Sequence, residues 1–414
     1  MIRKIGACLI VCIFLVCISW PPEARAQLVL GQYEDEAPFR TWNTFAPASA
    51  SSIGRGGTCF TLASDSSASL SNPALLLLLP RWTATVNGSL HYASFFKYSL
   101  VNTGVLGSDG NLSQSLYTLD FSGVSLHLGK WAFALTVGIN ELYNRPSALA
   151  DYSYGGTVLY SLSLTQEGVL RNLNLSAAHS FNDWLSAGLG INFSLGDLKR
   201  EMVEQWTQTG ISITDRKTRD LKEFYLNGGL LVNLSDRVCL AAVFKTPSPR
   251  QSKNSSFLQY SAPAGTTDIR IEASSEDKVK QPLVFGLGAS CKILTNLKAA
   301  LDLSYYSWSR YSVDYFGETL ERNFRDVLKV GAGMELQSSF EIFGQHFYFP
   351  VRLGFVYDPQ PMRDPRSSYA SFTFGGGIAW QNFELDFGAL VGRESGSGND
   401  LAARKVSVSL TFQL

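Results

Sequence analysis

Four histidines, His91, His127, His179 and His346, are the side chains best suited to move protons near neutral pH. His91 and His127 fall on the polar side of alternating segments, so a Ser/His/Asp arrangement is the one hydrolytic chemistry worth considering. The motifs that would support it are missing: there is no Gly-x-Ser-x-Gly, no His-Glu-x-x-His and no phosphate loop. Gly286-x-Gly288 and Gly331-x-Gly333 lie inside alternating segments, where they read as small wall residues rather than nucleotide turns. The expectation is a protein that is not an enzyme and needs no cofactor or metal. Two cations carry more promise as binders. Arg352 and Lys329 alternate to the polar side of nearby segments, and an inward arginine holds a carboxylate through two parallel hydrogen bonds. The same residues read with more weight as a charge network with Glu335, Asp302 and Asp386 that braces a wall. Trp308 and Tyr306 share the inward face near one end and either line an apolar mouth or pack against loops.

The elements that position these residues are strands. In the C-terminal run, Val406, Val408, Leu410, Phe412 and Leu414 alternate with Ser407, Ser409, Thr411 and Gln413. A strand turns successive side chains to opposite faces, so the apolar set shares one side. Phe383–Val391, Leu328–Leu336 and Leu185–Phe193 repeat the rule, with Gly, Ser and isolated charges opposite the apolar residues. A soluble sandwich would use such a face as its core. Two features favour lipid instead. Short turns at Gly129-Lys130, Asn182-Asp183, Ser235-Asp236, Thr295-Asn296 and Gln381-Asn382 alternate with long polar connections around 102–114, 201–220, 245–265, 309–323 and 393–401. Trp131, Trp184 and Trp380 flank the short turns, which places them at one membrane interface.

Composition agrees. Charged residues make up 17% of the chain and aromatics 12%, with a formal net charge of zero that gives nucleic acid no basic surface. No internal segment is long and apolar enough for a spanning helix, so an apolar exported chain points to a membrane β-barrel. Export follows from the first residues. A basic Met1-Ile2-Arg3-Lys4, an apolar run to Trp20 and Ala24-x-Ala26 predict a secretory signal over 1–26. The remaining Cys59, Cys239 and Cys291 form neither a disulfide framework nor a zinc spacing. Segments from Trp82 onward amount to about fourteen strands, an even number that leaves both barrel ends in the periplasm of a Gram-negative cell. Thr157–Phe181 and Asp268–Ile293 each read as one long strand projecting past the membrane. The chain therefore divides into a signal at 1–26, an extension and hatch at 27–80, and an all-β barrel at 81–414.

One strand changes phase. Tyr117, Leu119 and Phe121 lead into Gly123 and Ser125, while Val124, Leu126 and Leu128 continue the opposite parity. A β-bulge at Ser122-Gly123 accounts for it, either as a local adjustment of curvature or as a kink that opens the wall sideways.

The stretch before the first strand, SIGRGGTCFTLASDSSASLSNPALLLLLP over Ser52–Pro80, is rich in small residues and too short for a core of its own. It must lie against the strand array, as a plug. It resembles the N-terminal hatch of the FadL-type outer-membrane transporters, the channels for long-chain fatty acids and aromatic hydrocarbons. Gly56, Gly57, Asn72, Pro73 and Ala74 carry that resemblance. So do Ser307-Trp308-Ser309-Arg310, Val351–Asp358 and Phe372–Ile378, in the family's order. The family has Asp-Asp where this chain has Ser64-Asp65-Ser66, and Gly where it has Leu75. The resemblance implies a fourteen-stranded plugged barrel that admits a hydrophobic small molecule and releases it laterally into outer-membrane lipid. It also leaves room for a structural or secretion-accessory barrel that binds a protein partner at its outer loops.

Overall fold

The computed structural model describes residues 49–98, 110–263, 268–315, 318–321, 323–342, 344–364, 366–397 and 401–414. The proposed signal at 1–26 and the first part of the extension lie outside them. Nineteen strand segments make one antiparallel sheet. They are β1 (Trp82–Tyr98), β2 (Gly110–Leu128), β3 (Trp131–Leu142), β4 (Arg145–Tyr154), β5 (Thr157–Ser180), β6 (Leu185–Trp206) and β7 (Ser212–Asn233). Next come β8 (Val238–Lys245), β9 (Pro249–Ser261), β10 (Ile269–Lys280), β11 (Val284–Leu294), β12 (Leu297–Tyr306), β13 (Ser312–Tyr315) and β14 (Glu318–Glu321). The last five are β15 (Val327–Ile342), β16 (Gln345–Pro359), β17 (Ser368–Trp380), β18 (Phe383–Ser395) and β19 (Ala402–Gln413).

These segments are the staves of a closed fourteen-strand barrel. β4 continues the line of β3 along β5, and β9 that of β8 along β7. β10 likewise runs into β11, β12 into β13, and β14 into β15. The sheet closes where β1 meets β19, from Thr83 opposite Gln413 to Ala93 opposite Ala403. Pairing along this seam leaves neither terminal strand with a free edge inside the bilayer, where an unpaired backbone group costs several kcal/mol. Thr157–Ser180 is one strand, whereas the 268–293 stretch breaks at 281–283 into β10 and β11. The expected polar loops over 201–220 and 245–265 are mostly strand: β6, β7 and β9 carry the wall outward well past the membrane. Their polarity marks water on the outside of the sheet, not the end of the ladder.

Parity sets the two faces. Leu189, Ile191 and Phe193 are exposed, whereas Gly190, Asn192 and Ser194 between them are buried. Trp131, Trp184 and Trp380 stand 50%, 54% and 40% exposed beside the short turns of one rim, an aromatic belt at a single interface.

Residues 49–79 lie within the barrel. Ser49 caps a short helix, α1 (Ala50–Gly54), and Gly56 and Gly57 turn the chain with φ of 69° and 72°. A second short helix, α2 (Ala68–Ser71), leads to Asn72, whose side chain accepts from the Ala74 amide and opens a 3-10 turn over Pro73–Leu78. Pro at the first position of that turn costs nothing, because its missing N–H has no partner there anyway. The wall admits this backbone where it lacks side chains. A Cβ on Gly354 would lie 2.2 Å from the Gly56 nitrogen, and one on Gly388 would lie 2.1 Å from the Ala50 carbonyl oxygen.

Candidate functional site: a filled pore and a parted wall

Inward polar side chains hold the internal segment by its backbone. Asp302 Oδ2 accepts from the Cys59 and Phe60 amides at 2.7 and 3.0 Å. Thr373 Oγ1 accepts from Gly56 N at 2.8 Å and donates to Gly54 O at 3.1 Å. Asn72 Nδ2 donates to Phe60 O at 2.8 Å and to Leu230 O at 3.3 Å. Pro73 and Ala74 are fully enclosed beside Gly188. Burial pushes the Cys59 thiol up, well above its ordinary value.

The cation expected to greet a ligand is occupied. Arg352 Nε donates to Glu335 Oε2 at 2.7 Å, Nη1 bonds Asp386, and Glu384 stands 3.7 Å from Nη2. Arg55 of the internal segment joins through a 2.6 Å bond to the same Glu335 oxygen. Arg352 thus belongs to the bracing network, and the network includes the segment itself. Asp302 holds backbone amides instead of joining it. Lys329 pairs with Asp358 at 2.8 Å. Trp308 and Tyr306 are buried and pack with Tyr311 and Phe324, in the apolar cluster that also contains Phe60 and Leu75.

The histidines separate. His127 sits between the carbonyls of Leu79 and Gly129 at 3.0 and 2.9 Å. His179 packs on Trp131, and His346 stands opposite Glu341 at the β16 start. His91 Nε2 lies 2.8 Å from Thr118 Oγ1 and 3.3 Å from Asp120 Oδ1. Ser89 donates to Asp120 Oδ2 at 2.6 Å, so its hydroxyl is bonded to the carboxylate and not to the imidazole.

Asp120 also marks where the wall changes. β1 and β2 pair Asn87 with Phe121 but Gly88 with Leu119, so the extra residue of the bulge is Asp120, two positions before Ser122. Ser122 points outward and Gly123 inward. The inward ring of Phe121 leaves no room for a side chain there: a Cβ on Gly123 would come within 2.9 Å of it and 2.4 Å of Thr136 Cγ2. β3 has its own bulge at Asn140, between Ile139 opposite Arg171 and Glu141 opposite Leu170. The β2–β3 ladder ends between these bulges, at Phe121 opposite Gly138. Among the described residues no ladder joins β2 beyond Phe121 to β3 or β4, so the outer half of the wall is parted there.

Both lips are tied back into the barrel. On the β2 side Lys405 reaches Asp120 at 2.7 Å. On the β3 side Arg250 of β9 bonds Glu141 at 2.5 Å and the Tyr143 hydroxyl at 2.7 Å. The same guanidinium holds Glu223 of β7 at 2.8 and 2.9 Å, and Ser248 donates to that carboxylate at 2.5 Å. Sequence reasoning singled out none of Asp120, Asn140, Glu141 or Arg250. The parity slip Ile139-Asn140-Glu141-Leu142 was a readable sign of the second bulge.

Polarity inverts above the membrane. On β5 the inward residues Asn172, Asn174 and Ser176 give way outward to Leu170, Leu164 and Leu162. Its outer face passes from Leu175 and Leu173 to Arg171, Glu167 and Thr165. Tyr143, Leu170, Leu198 and Leu221 close into an apolar layer inside the barrel at that level.

A lipid-facing apolar band, a belt of tryptophans and a closed antiparallel wall define an outer-membrane β-barrel. Solved structures agree in fold. A FadL homologue of Pseudomonas aeruginosa matches with a TM-score of 0.63 at 15% identity, over 89% of this chain and 99% of its own. The toluene transporter TbuX of Ralstonia pickettii matches at 0.61 and 15%, over 88% and 97%. The toluene transporter TodX of Pseudomonas putida matches at 0.63 and 13%, over 90% and 99%. Within that class the chain belongs to the BamG family, whose family model matches residues 60–404. The sequence resemblance to FadL-type transporters is therefore one of fold, and the family is BamG. No curated protein sequence matches.

Proposed function

We propose that the protein passes hydrophobic small molecules, long-chain fatty acids or hydrocarbons, from the cell surface into outer-membrane lipid without a catalytic step. The observation that carries this reading is the pairing of an obstructed axis with a parted side. The internal segment lies against the inner wall at Gly188, Gly354 and Gly388, which supports an obstructed axis, while the ladder between β2 and β3 stops at Phe121 and Gly138. Such a geometry suits cargo that prefers acyl chains to water. The apolar layer of Tyr143, Leu170, Leu198 and Leu221 lies inside the wall at the height of the parting, as an apolar approach requires. In this reading Gly56, Gly57, Asn72, Pro73 and Ala74 seat the hatch, and Asp120, Phe121, Gly123 and Asn140 shape the exit. Lys329 and Arg352 brace the wall, and Trp308 and Tyr306 pack the pore above Phe60. Fold neighbours named as toluene transporters support the choice of cargo class.

The test is uptake of a radiolabelled panel, a long-chain fatty acid and toluene among them, by cells with and without the gene. The expected result is slower uptake of at least one apolar compound without it; identical uptake across the panel would sink the proposal. A second reading, a barrel that docks a protein partner, is favoured by the outer extension of β4–β7, β9 and β10. There β10 exposes Ile269 and Ile271 by 56% each, on a strand whose outer part pairs, among the described residues, with β9 alone. A stoichiometric protein in detergent pull-downs supports that reading.

A further inference from the structure

The register lets the outer face be read row by row across β5, β6 and β7. Leu173, Phe193 and Phe224 stand abreast as the last wholly apolar row. The next row outward is Arg171, Leu195, Lys222, Gln251 and Lys278, from β5 to β10. Lys280 lies two residues nearer the membrane on β10, and all four cations are exposed. None of them has an ion pair among the described residues. Of the acids in the following row, Asp197 stands 3.7 Å from Lys199 and Glu276 3.1 Å from Lys253, while Asp220, two residues from Lys222, has no ion pair among the described residues. Arg171, Lys222 and Lys278 sit on alternate strands, so their backbones are roughly 10 Å apart. That spacing places one cation against each of several neighbouring headgroups and does not gather them around a single phosphate.

A second feature lies above them on the same face. A groove of about 430 Å³ is lined by Arg216, Thr218, Ser255, Phe257, Glu272 and Ser274. Thr218 is four residues beyond Lys222 along β7, roughly 13 Å farther from the membrane. Hydroxyls and charges around one apolar ring form a surface suited to sugar, whose rings present hydroxyl edges and C–H faces.

We propose that this face holds phosphorylated glycolipids of the outer leaflet, their acyl chains on the apolar row, their phosphates shared out over Arg171, Lys222, Lys278 and Lys280, and the saccharide of one of them in the groove. The order of chemistries along the strands, apolar, cationic and then hydroxyl-lined, is the order of such a lipid from tail to head. The site begins one strand from the parted wall, where Arg171 stands opposite Ile139 of β3, and runs away from it to β10, so it does not depend on any cargo passing through the parting.

The test uses the full-length protein in detergent and native mass spectrometry. The probes are a purified phosphorylated outer-membrane glycolipid, the same glycolipid after phosphatase treatment, and phosphatidylglycerol. The expected order is phosphorylated glycolipid at least fivefold tighter than either of the others. Combining Arg171→Gln, Lys222→Gln and Lys278→Gln removes at least five-sixths of that binding. Lys253→Gln, at a cation already paired, leaves it within a factor of two, and Phe257→Ala weakens the glycolipid without changing phosphatidylglycerol. Heat-modifiable gel mobility verifies that each variant is folded. Full retention by the folded triple variant overturns the phosphate row, and equal affinity for phosphatidylglycerol overturns the saccharide groove.

Discussion

Replacing Gly354 with alanine sets one methyl group against the backbone of the internal segment. That Cβ would lie 2.2 Å from Gly56 N and 2.6 Å from Arg55 C, where ordinary contact begins at 3.4 Å. The segment must retreat by the difference, about 1.2 Å. Gly56 N is bonded to Thr373 Oγ1 at 2.8 Å, so that retreat takes it out of hydrogen-bond reach. The 2.6 Å bond of Arg55 to Glu335 stretches with it. A buried donor left without its partner costs about 1–3 kcal/mol, and the weakened charge pair adds to it. A loss near 3 kcal/mol raises the dislodged population roughly a hundredfold. Cys59 reports it, because in the seated state its thiol is buried and its pKa is raised, and both suppress alkylation. In a Cys239→Ser/Cys291→Ser background, maleimide labelling of Cys59 should accelerate by one to two orders of magnitude. Gly376→Ala is the control, since its Cβ meets only Pro350 O at an ordinary 3.4 Å. If a folded Gly354→Ala barrel labels no faster than this control, the seat is not built on the glycine contacts and the reasoning fails.

Other outcomes follow from the same geometry. Arg352→Ala strands Asp386 and Glu384 and leaves Glu335 to Arg55 alone, and breaking a buried pair in this way costs about 3–5 kcal/mol. Urea unfolding in detergent micelles should show that loss, and pairing Arg352→Met with Asp386→Leu should recover much of it. In vesicles of headgroup-proximal brominated lipid, Trp131→Phe, Trp184→Phe and Trp380→Phe should each remove quenchable emission, whereas Trp308→Phe removes emission that bromine does not reach. Equal quenching of Trp308 would refute its burial.

The wall was legible because its rule is local. Parity along Val406–Leu414 or Leu185–Phe193 separates lipid from lumen without knowledge of any partner strand, and tryptophans beside short turns give the height of the membrane. Small residues before Trp82 announced a segment that had to lie on something else. The reach of β6 and β7 beyond the membrane was hidden by the same rule, because polar outward residues there face water and read as loop. The bulge was sensed but placed at Ser122-Gly123, since parity locates a slip only to within the run of small residues that separates two apolar registers. The opposing strand decides that Asp120 is the extra residue, and that Asn140 is its counterpart across the parting.

Composition and alternation determined that this chain is a barrel with an internal segment and two unlike faces. Only the tertiary structure decided which inward charges are spent on one another and which stave pair comes apart. Arg352 finds Glu335 and Asp386 from separate strands, and Arg250 reaches from β9 to Glu141 of β3. Such pairings depend on closing the sheet through register and shear, quantities that belong to strand pairs and are written in no single strand.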